Sequence, residues 1–149
     1  MRSKIYSRLA CLAMVLVALA WLTGPALAQK QFKEFVQARF SLSAAQGKCT
    51  FCHGDKKGPS KTNLNDFGKA LQSHPDMAPL LNKKAGYEYS PEELAILAKT
   101  IEKLGEKDSD GDGVSNAEEI ALGTMPGDPK STPTPAEVEA YRKKKAEKK

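Results

Sequence analysis

The sequence predicts a mainly α-helical fold. Two stretches, residues 30–40 and 91–104, carry apolar side chains at the spacing of one helical face. No stretch of comparable strength alternates apolar and polar residues in the way that a half-buried strand does. The chain has 149 residues, which is enough for one small domain. We therefore expect one small helical domain.

The first 28 residues have the pattern of a secretory signal peptide. Three basic side chains precede an apolar run at residues 9–22, and Ala26-Leu27-Ala28 supplies a small-x-small cleavage site. The run is short for a bilayer span, which needs about 20 residues. We therefore expect cleavage after Ala28 and a periplasmic or secreted protein. Cys11 would be lost with this segment, so the mature chain keeps two cysteines.

Residues 30–40 form the first helix candidate of the mature chain. Four apolar side chains share one face of it: Phe32, Phe35, Val36 and Phe40. A stripe of this kind indicates a face that packs into the core.

A second, shorter helix is predicted to begin near residue 65, with Asn63 or Asn65 as its N-cap. Its inward side chains would be Leu64, Phe67 and Leu71. Pro75 and Pro79 then predict a break from regular helix that exposes the neighbouring side chains.

The helix at residues 91–104 has the strongest start signal in the chain. Ser90 and Glu93 form a capping box, and Pro91 suits the first helical position. Gly105 predicts the end of the helix.

The stretch Cys49-Thr50-Phe51-Cys52-His53 is the C-x-x-C-H pattern of covalent c-type haem attachment. The two thiols can add to the two haem vinyl groups, and His53 can then bind the iron as proximal ligand. The alternatives are a redox thiol pair and a zinc site. A zinc site needs four ligands, and His74 is the only other nitrogen or sulfur ligand of the usual zinc type in the mature chain.

Residues 108–119 match the twelve-position calcium loop of an EF-hand at every ligand position. The ligands at positions one, three, five, seven, nine and twelve would be Asp108, Asp110, Asp112, the carbonyl of Val114, Asn116 and Glu119. Gly113 supplies the sharp turn at position six. Oxygen ligands with four carboxylates favour a hard cation, and calcium is the natural choice. A solvated acidic loop is the alternative.

One detail differs from paired EF-hands. Position eight, which is usually apolar so that two loops can pair, is Ser115, and there is no second loop. The segment from residue 108 to 126 resembles the single calcium loops of thrombospondin type 3 and dockerin-like repeats. In such repeats an Asp often follows the Gly-Thr pair, and Met125 stands there in this chain.

From about residue 32 to 104 the chain resembles class I cytochromes c. The matching features, in order, are the aromatic first helix, Cys49-x-x-Cys52-His53-Gly54, the Gly58-Pro59 pair, a Met-x-Pro segment at Met77, and the helix that begins at Ser90. The resemblance implies that the Pro59 carbonyl accepts the N–H of the proximal His53. It also implies Met77 as the sixth iron ligand.

Two other side chains compete with Met77 for that position. His74 would give a bis-histidine centre of lower potential. Met125 lies in a later loop and is the third candidate. The interval between His53 and Met77 is short for the family.

Charge is unevenly distributed along the mature chain. Removing the three basic residues of the signal segment from 23 leaves 20 basic against 18 acidic residues, or about +2. Residues 142–149 hold six basic residues and one acid, at the end of a predicted charged helix that begins at residue 135. This run is either a solvated face or a docking surface for an acidic redox partner or an anionic lipid surface. Nucleic acid is not an expected partner, and no catalytic Ser/His/Asp set or phosphate loop is visible in the sequence.

These patterns divide the chain into a signal peptide at 1–28, a haem domain at 29–105, a calcium segment at 106–129 and a basic helical tail at 130–149. The expected function is that of an electron carrier rather than an enzyme, with one covalent haem c, one calcium ion and redox partner proteins. The alternatives are a haem-based sensor with an open iron position and a calcium-dependent interaction module.

Overall fold

The computed structural model describes residues 26–54, 63–84 and 86–148. The fold in these residues is mainly α-helical, as predicted, with six helices and no strand. The helices are α1 (Ala26–Arg39), α2 (Asp66–Ser73), α3 (Ala78–Leu81), α4 (Pro91–Lys103), α5 (Asn116–Leu122) and α6 (Pro135–Ala146). Two 3₁₀ turns, Cys49–Phe51 and Pro75–Met77, lie between α1 and α3.

The predicted signal segment lies outside the described residues up to residue 25. None of the helices between residues 26 and 148 that the structure describes is long and apolar enough to cross a membrane.

The helices α1 and α4 confirm the two strongest periodic patterns. The capping box at the start of α4 is formed, with the Glu93 N–H 3.3 Å from Ser90 Oγ and the Ser90 N–H 3.0 Å from Glu93 Oε2. Across the two helices, an Arg39 guanidinium nitrogen lies 2.8 Å from Glu102 Oε1. The two helices therefore pack together through apolar faces with an ion pair at the edge.

The helix α2 settles the choice between two predicted caps. Asn65 is the N-cap, because its Oδ1 accepts a hydrogen bond from the Gly68 N–H at 2.8 Å. Phe67 and Leu71 are buried, as predicted.

The region of the two prolines differs from the prediction. Pro75 opens a 3₁₀ turn and Pro79 lies in the first turn of α3, where a missing N–H costs no helical hydrogen bond. The short helix is therefore compatible with both prolines. The two prolines were expected to expose the side chains beside them, but Met77 between them is only 3 % exposed.

The core lies between α1, α2, α3 and α4. Its most deeply buried apolar side chains are Phe67, Leu80, Leu97, Ile101 and Leu104. Two of these lie in α4 and a third, Leu104, directly follows it. The other elements therefore pack mainly against α4.

The tail helix α6 is present where it was predicted, but it is not fully exposed. Val138 is buried, and Arg142 donates two hydrogen bonds to the Glu118 carboxylate on α5, at 2.7 and 3.0 Å. This contact holds the pKa of Glu118 down at about 2. The basic tail is therefore docked on the helix that follows the acidic loop.

Candidate haem and calcium sites

A largely apolar cavity of about 480 Å³ lies between α1, the turn Cys49–Phe51, α2, α3 and the middle of α4. Its size falls within the range of small-molecule and cofactor sites. The apolar walls include Phe32, Val36, Phe51, Leu71, Leu80 and Leu97. The cavity is therefore built from the same side chains as the core.

The four residues predicted to hold a haem all line this cavity: Cys49, Cys52, His53 and Met77. Cys49 is exposed, Cys52 is half-buried, and both are free thiols. The segment around the turn Cys49–Phe51 and the turn Pro75–Met77 thus bring together side chains that lie far apart in the sequence. The arrangement fits a flat apolar cofactor that two thiols anchor at one edge.

The imidazole of His53 has its orientation fixed by the backbone. Its Nδ1 lies 3.1 Å from the carbonyl oxygen of Asn63, which also accepts the Gly54 N–H at 3.1 Å. Since a carbonyl can only accept, the proton of this hydrogen bond must sit on Nδ1, which leaves the Nε2 lone pair free for a metal. Pro59, to which the resemblance assigns this contact, lies outside the described residues.

The side chain of Asn65 connects the turn Cys49–Phe51 to α2. Its Nδ2 donates to the carbonyls of Thr50 and Phe51, at 3.0 and 3.2 Å, while its Oδ1 caps the helix. Sequence reasoning identified Asn65 only as a cap. The additional contacts depend on how α2 packs, which no local pattern encodes.

Gly68 allows α2 to approach the backbone of Cys52 closely. A Cβ atom at this position would collide with the carbonyl oxygen of Cys52. This glycine was not singled out in the sequence, because the need for it arises only from this packing.

The surroundings of the Cys52 thiol bear on its reactivity. Burial and the neighbouring Cys49 raise the pKa of Cys52 to about 12. A redox-active pair and a zinc site both need thiolates, which low pKa values favour. The raised pKa therefore disfavours a reactive thiolate at Cys52. It does not bear on zinc, because a bound metal ion deprotonates the thiol that coordinates it.

The three candidates for the sixth iron ligand are placed differently. Met77 is buried and lines the cavity. His74 and Met125 are not among the described residues that line it. The Nδ1 of His74 instead accepts the Asp76 N–H at 3.3 Å, and Met125 packs against the edge of the core. Of the three, Met77 is the one positioned to reach a group in the cavity.

The acidic loop forms a second site. The carboxylates of Asp108, Asp110 and Asp112 each offer an oxygen within 4.8 Å of the other two. Backbone N–H groups hold them in place, for example from Gly111 and Gly113 to the two oxygens of Asp108, at 2.8 and 2.9 Å. Both glycines have positive φ, of 80° and 92°. The loop is thus folded so that three carboxylates converge.

Glu119 is the residue of this site whose environment is hardest to explain without a cation. Its side chain is fully buried, and neither carboxylate oxygen has a hydrogen-bond partner among the described residues. One oxygen each of Asp110 and Asp112 is similarly buried without a partner. Burial, then repulsion from Asp110, Asp112 and Asp108, raises the pKa of Glu119 to about 8. Unpaired buried carboxylates are costly unless they are protonated or bind a metal, so the residues present fit a calcium ion.

The structure supports the two remaining predicted calcium ligands, Val114 and Asn116, less directly than it supports the carboxylates. Val114, whose carbonyl belongs to position seven, is buried. The side chain of Asn116 is fully buried and already engaged, because its Oδ1 accepts the Ser109 N–H at 3.2 Å and its Nδ2 donates to the Leu104 carbonyl at 2.7 Å. Asn116 therefore fastens the loop to the end of α4, and its role as a ligand stays a prediction.

Comparison of the chain with protein-family models, with curated proteins and with solved structures finds no match. The functional interpretation therefore depends on the residues of the two sites.

The raised pKa of Glu119 predicts that calcium binding depends on pH. Below about pH 8 calcium must displace a proton from this carboxyl, so we expect release of about one proton per ion and a dissociation constant that weakens about tenfold per pH unit. Because the folded pKa lies above the ordinary value of 4.5, the calcium-free protein should also lose stability as the pH rises from 4.5 to about 8. Calorimetric calcium titrations at pH 6, 7 and 8 measure the first effect. An affinity that is constant over this range would contradict it.

Proposed function

We propose that the chain is an exported monohaem c-type cytochrome that carries single electrons and holds a calcium ion at residues 108–119. The observation that supports the haem most strongly is that Cys49, Cys52, His53 and Met77 line one largely apolar cavity. The buried, unpartnered carboxylate of Glu119 supports the calcium ion. Export rests on the N-terminal sequence pattern.

Each residue of the cavity has a distinct task in this proposal. The thiols of Cys49 and Cys52 would anchor the haem by two thioether bonds, and Nε2 of His53 and Sδ of Met77 would serve as its iron ligands. The bound haem supplies an iron that alternates between the ferric and ferrous states. The apolar walls exclude water, and the hydrogen bond from Nδ1 to the Asn63 carbonyl keeps the imidazole oriented.

Basic side chains at the cavity support an acidic redox partner. Lys33, Lys48 and Lys84 are exposed and line the cavity. Lys83 also lines it, but it is paired with Glu93 at 2.7 Å. Exposed lysines near a buried redox centre attract an acidic partner to the place where electrons leave. The acidic redox partner that the sequence associates with the basic tail would therefore also be attracted to the cavity.

Carbon monoxide binding separates an electron carrier from a sensor with an open iron position. The reduced protein should not bind carbon monoxide at once, because the sulfur of Met77 holds the sixth position. The oxidised protein should show the weak near-infrared band of sulfur ligation. In Met77→Ala the band should disappear and carbon monoxide should bind immediately.

His74→Ala is the matched control for this experiment. His74 lies three residues earlier, outside the cavity, so the band and the resistance to carbon monoxide should both persist in this variant. If His74→Ala loses them and Met77→Ala keeps them, the ligand is His74. Immediate carbon monoxide binding by the unmutated protein would favour the sensor.

A further inference from the structure

Gln46 connects the cavity to the calcium segment. It lies three residues before Cys49, lines the cavity and is only 2 % exposed. Its Nε2 donates to the carbonyls of Ile120 and Thr124, at 3.2 and 3.0 Å, although these residues lie 74 and 78 positions away in the chain. Its Oε1 accepts hydrogen bonds from the backbone N–H and hydroxyl of Ser43, at 3.2 and 3.1 Å. Both ends of the Gln46 amide are therefore fixed.

Of the two carbonyls that Gln46 binds, that of Ile120 belongs to the last turn of α5 and that of Thr124 lies two residues beyond its end. The last carbonyls of a helix have no partner within it, so the Gln46 amide acts as a C-terminal cap supplied from a distant segment. Glu119 lies in this same turn. Its backbone carbonyl accepts the N–H groups of Gly123 and Thr124, at 2.9 and 3.0 Å. Glu119, whose carboxylate has no partner among the described residues, therefore lies about one turn from the carbonyls that bind Gln46.

A second contact joins the calcium segment to the other side of the haem-attachment turn. Gly127 packs so closely on Asn65 that a Cβ atom at position 127 would lie 2.6 Å from Cγ of Asn65. Asn65 in turn holds the carbonyls of Thr50 and Phe51. The stretch from residue 120 to 127 therefore touches both flanks of the turn that carries Cys49 and Cys52.

We infer that Gln46 is a positioning residue that couples the calcium loop to the haem-attachment turn, so that calcium binding orders the cavity wall beside Cys49. Without calcium, neither carboxylate oxygen of Glu119 has a hydrogen-bond partner among the described residues, so nothing there fixes this side chain of α5. With calcium, the Glu119 carboxylate is fixed and the end of α5 offers its carbonyls to Gln46 in one arrangement. This inference rests on the function proposed above.

Coupling of this kind is reciprocal. If calcium stabilises the ordered cavity wall, the ordered wall must raise calcium affinity by the same factor, and such factors are typically about 5- to 150-fold. Because the link through Gln46 consists of two hydrogen bonds, we expect a factor near the lower end, about fivefold.

The test uses the full mature protein with its haem attached. Calcium is titrated by calorimetry, and circular dichroism in the Soret band follows the surroundings of the haem in the same samples. In the unmutated protein the Soret signal should change with the same midpoint as calcium binding. In Gln46→Met, which keeps the length of the side chain but cannot donate to Ile120 or Thr124, most of this change should be lost and calcium should bind about fivefold more weakly.

Gln72→Met is the matched control. Gln72 also lines the cavity, but no hydrogen bond joins it to α5 in the part of the chain that the structure describes. Its substitution by Met changes the cavity lining in the same chemical way, so the Soret response to calcium and the calcium affinity should both stay at the values of the unmutated protein. A Gln46→Met protein that responds as Gln72→Met does would overturn the inference.

Asp110→Ala tests the coupling from the other end and does not depend on the folding of the Gln46 variant. In millimolar calcium its Soret signal should equal that of the unmutated protein in chelator. If calorimetry detects calcium in the unmutated protein while its Soret signal stays constant, the coupling is disproved and the proposed function stands. If no calcium binds, or no haem is attached, the proposed function itself fails.

Discussion

Calcium should raise the thermal midpoint of the protein by about 10 °C at pH 8.5 when it is supplied at about one hundred times its dissociation constant. Binding only to the folded state at that excess stabilises it by about 2.7 kcal/mol, and a domain of this size gains about 4 °C per kcal/mol. At this pH the Glu119 carboxyl is largely ionised in the calcium-free protein, since its pKa is about 8. The repulsion that calcium relieves is therefore near its largest. A single loop is less pre-organised than an EF-hand pair, so we expect a dissociation constant of about 10⁻⁵ to 10⁻³ M, with magnesium a poor substitute.

Glu119→Gln should have opposite effects with and without calcium. In chelator at pH 8.5, where the Glu119 carboxyl is largely ionised, the variant should melt at a higher temperature than the unmutated protein, because a buried unpartnered charge has been replaced by a neutral amide of the same shape. In calcium it should melt at a lower temperature, because the ligand at position twelve is lost. The two melting curves should therefore exchange their order when calcium is added.

Glu118→Gln is the matched control, since it makes the same substitution at the neighbouring buried carboxylate. Glu118 is paired with Arg142 and its pKa is lowered to about 2, so its negative charge stabilises the folded protein above the ordinary pKa of 4.5. Its neutralisation should lower the midpoint with and without calcium and leave the calcium response intact. If Glu119→Gln behaves in the same way as Glu118→Gln, the loop is an acidic turn and not a calcium site.

The helices could be predicted where the signal for them is local. The apolar periodicity of α1 and the capping box of α4 depend on residues within one or two turns, and both appear as expected. The prolines at 75 and 79 were misinterpreted because their position within a helix decides their effect. Both lie at helix starts, and Met77 turns inward from the first of these.

The residues of the two candidate sites also divide into those that a local sequence pattern reveals and those that depend on packing. The spacing of Cys49, Cys52 and His53 and the acid pattern of the loop follow from ligand geometry along one short segment, so the sequence shows them directly. Asn65 and Gln46 act across long intervals of chain, through contacts that exist only after α2 and α5 have packed. The docking of α6 on Glu118 through Arg142 was missed for the same reason.

Haem should remain bound to the protein after denaturation, and this should depend on the cysteines of the attachment turn. Cys52→Ala removes one thioether and should sharply reduce the yield of covalent haem, while the double variant Cys49→Ala with Cys52→Ala should carry none. Cys11→Ala is the matched control, because we expect Cys11 to be removed with the signal segment. That variant should contain as much covalent haem as the unmutated protein. Equal haem content in the double variant and in Cys11→Ala would contradict thioether attachment at this turn.

The mass of the denatured, purified protein tests the central claim most directly. We expect the chain processed after Ala28 plus one haem, with the colour staying in the protein fraction through extraction with acidified acetone. A mass equal to the bare chain, with all of the haem passing into the organic phase, would contradict the assignment of the Cys49–His53 turn as a haem-attachment site.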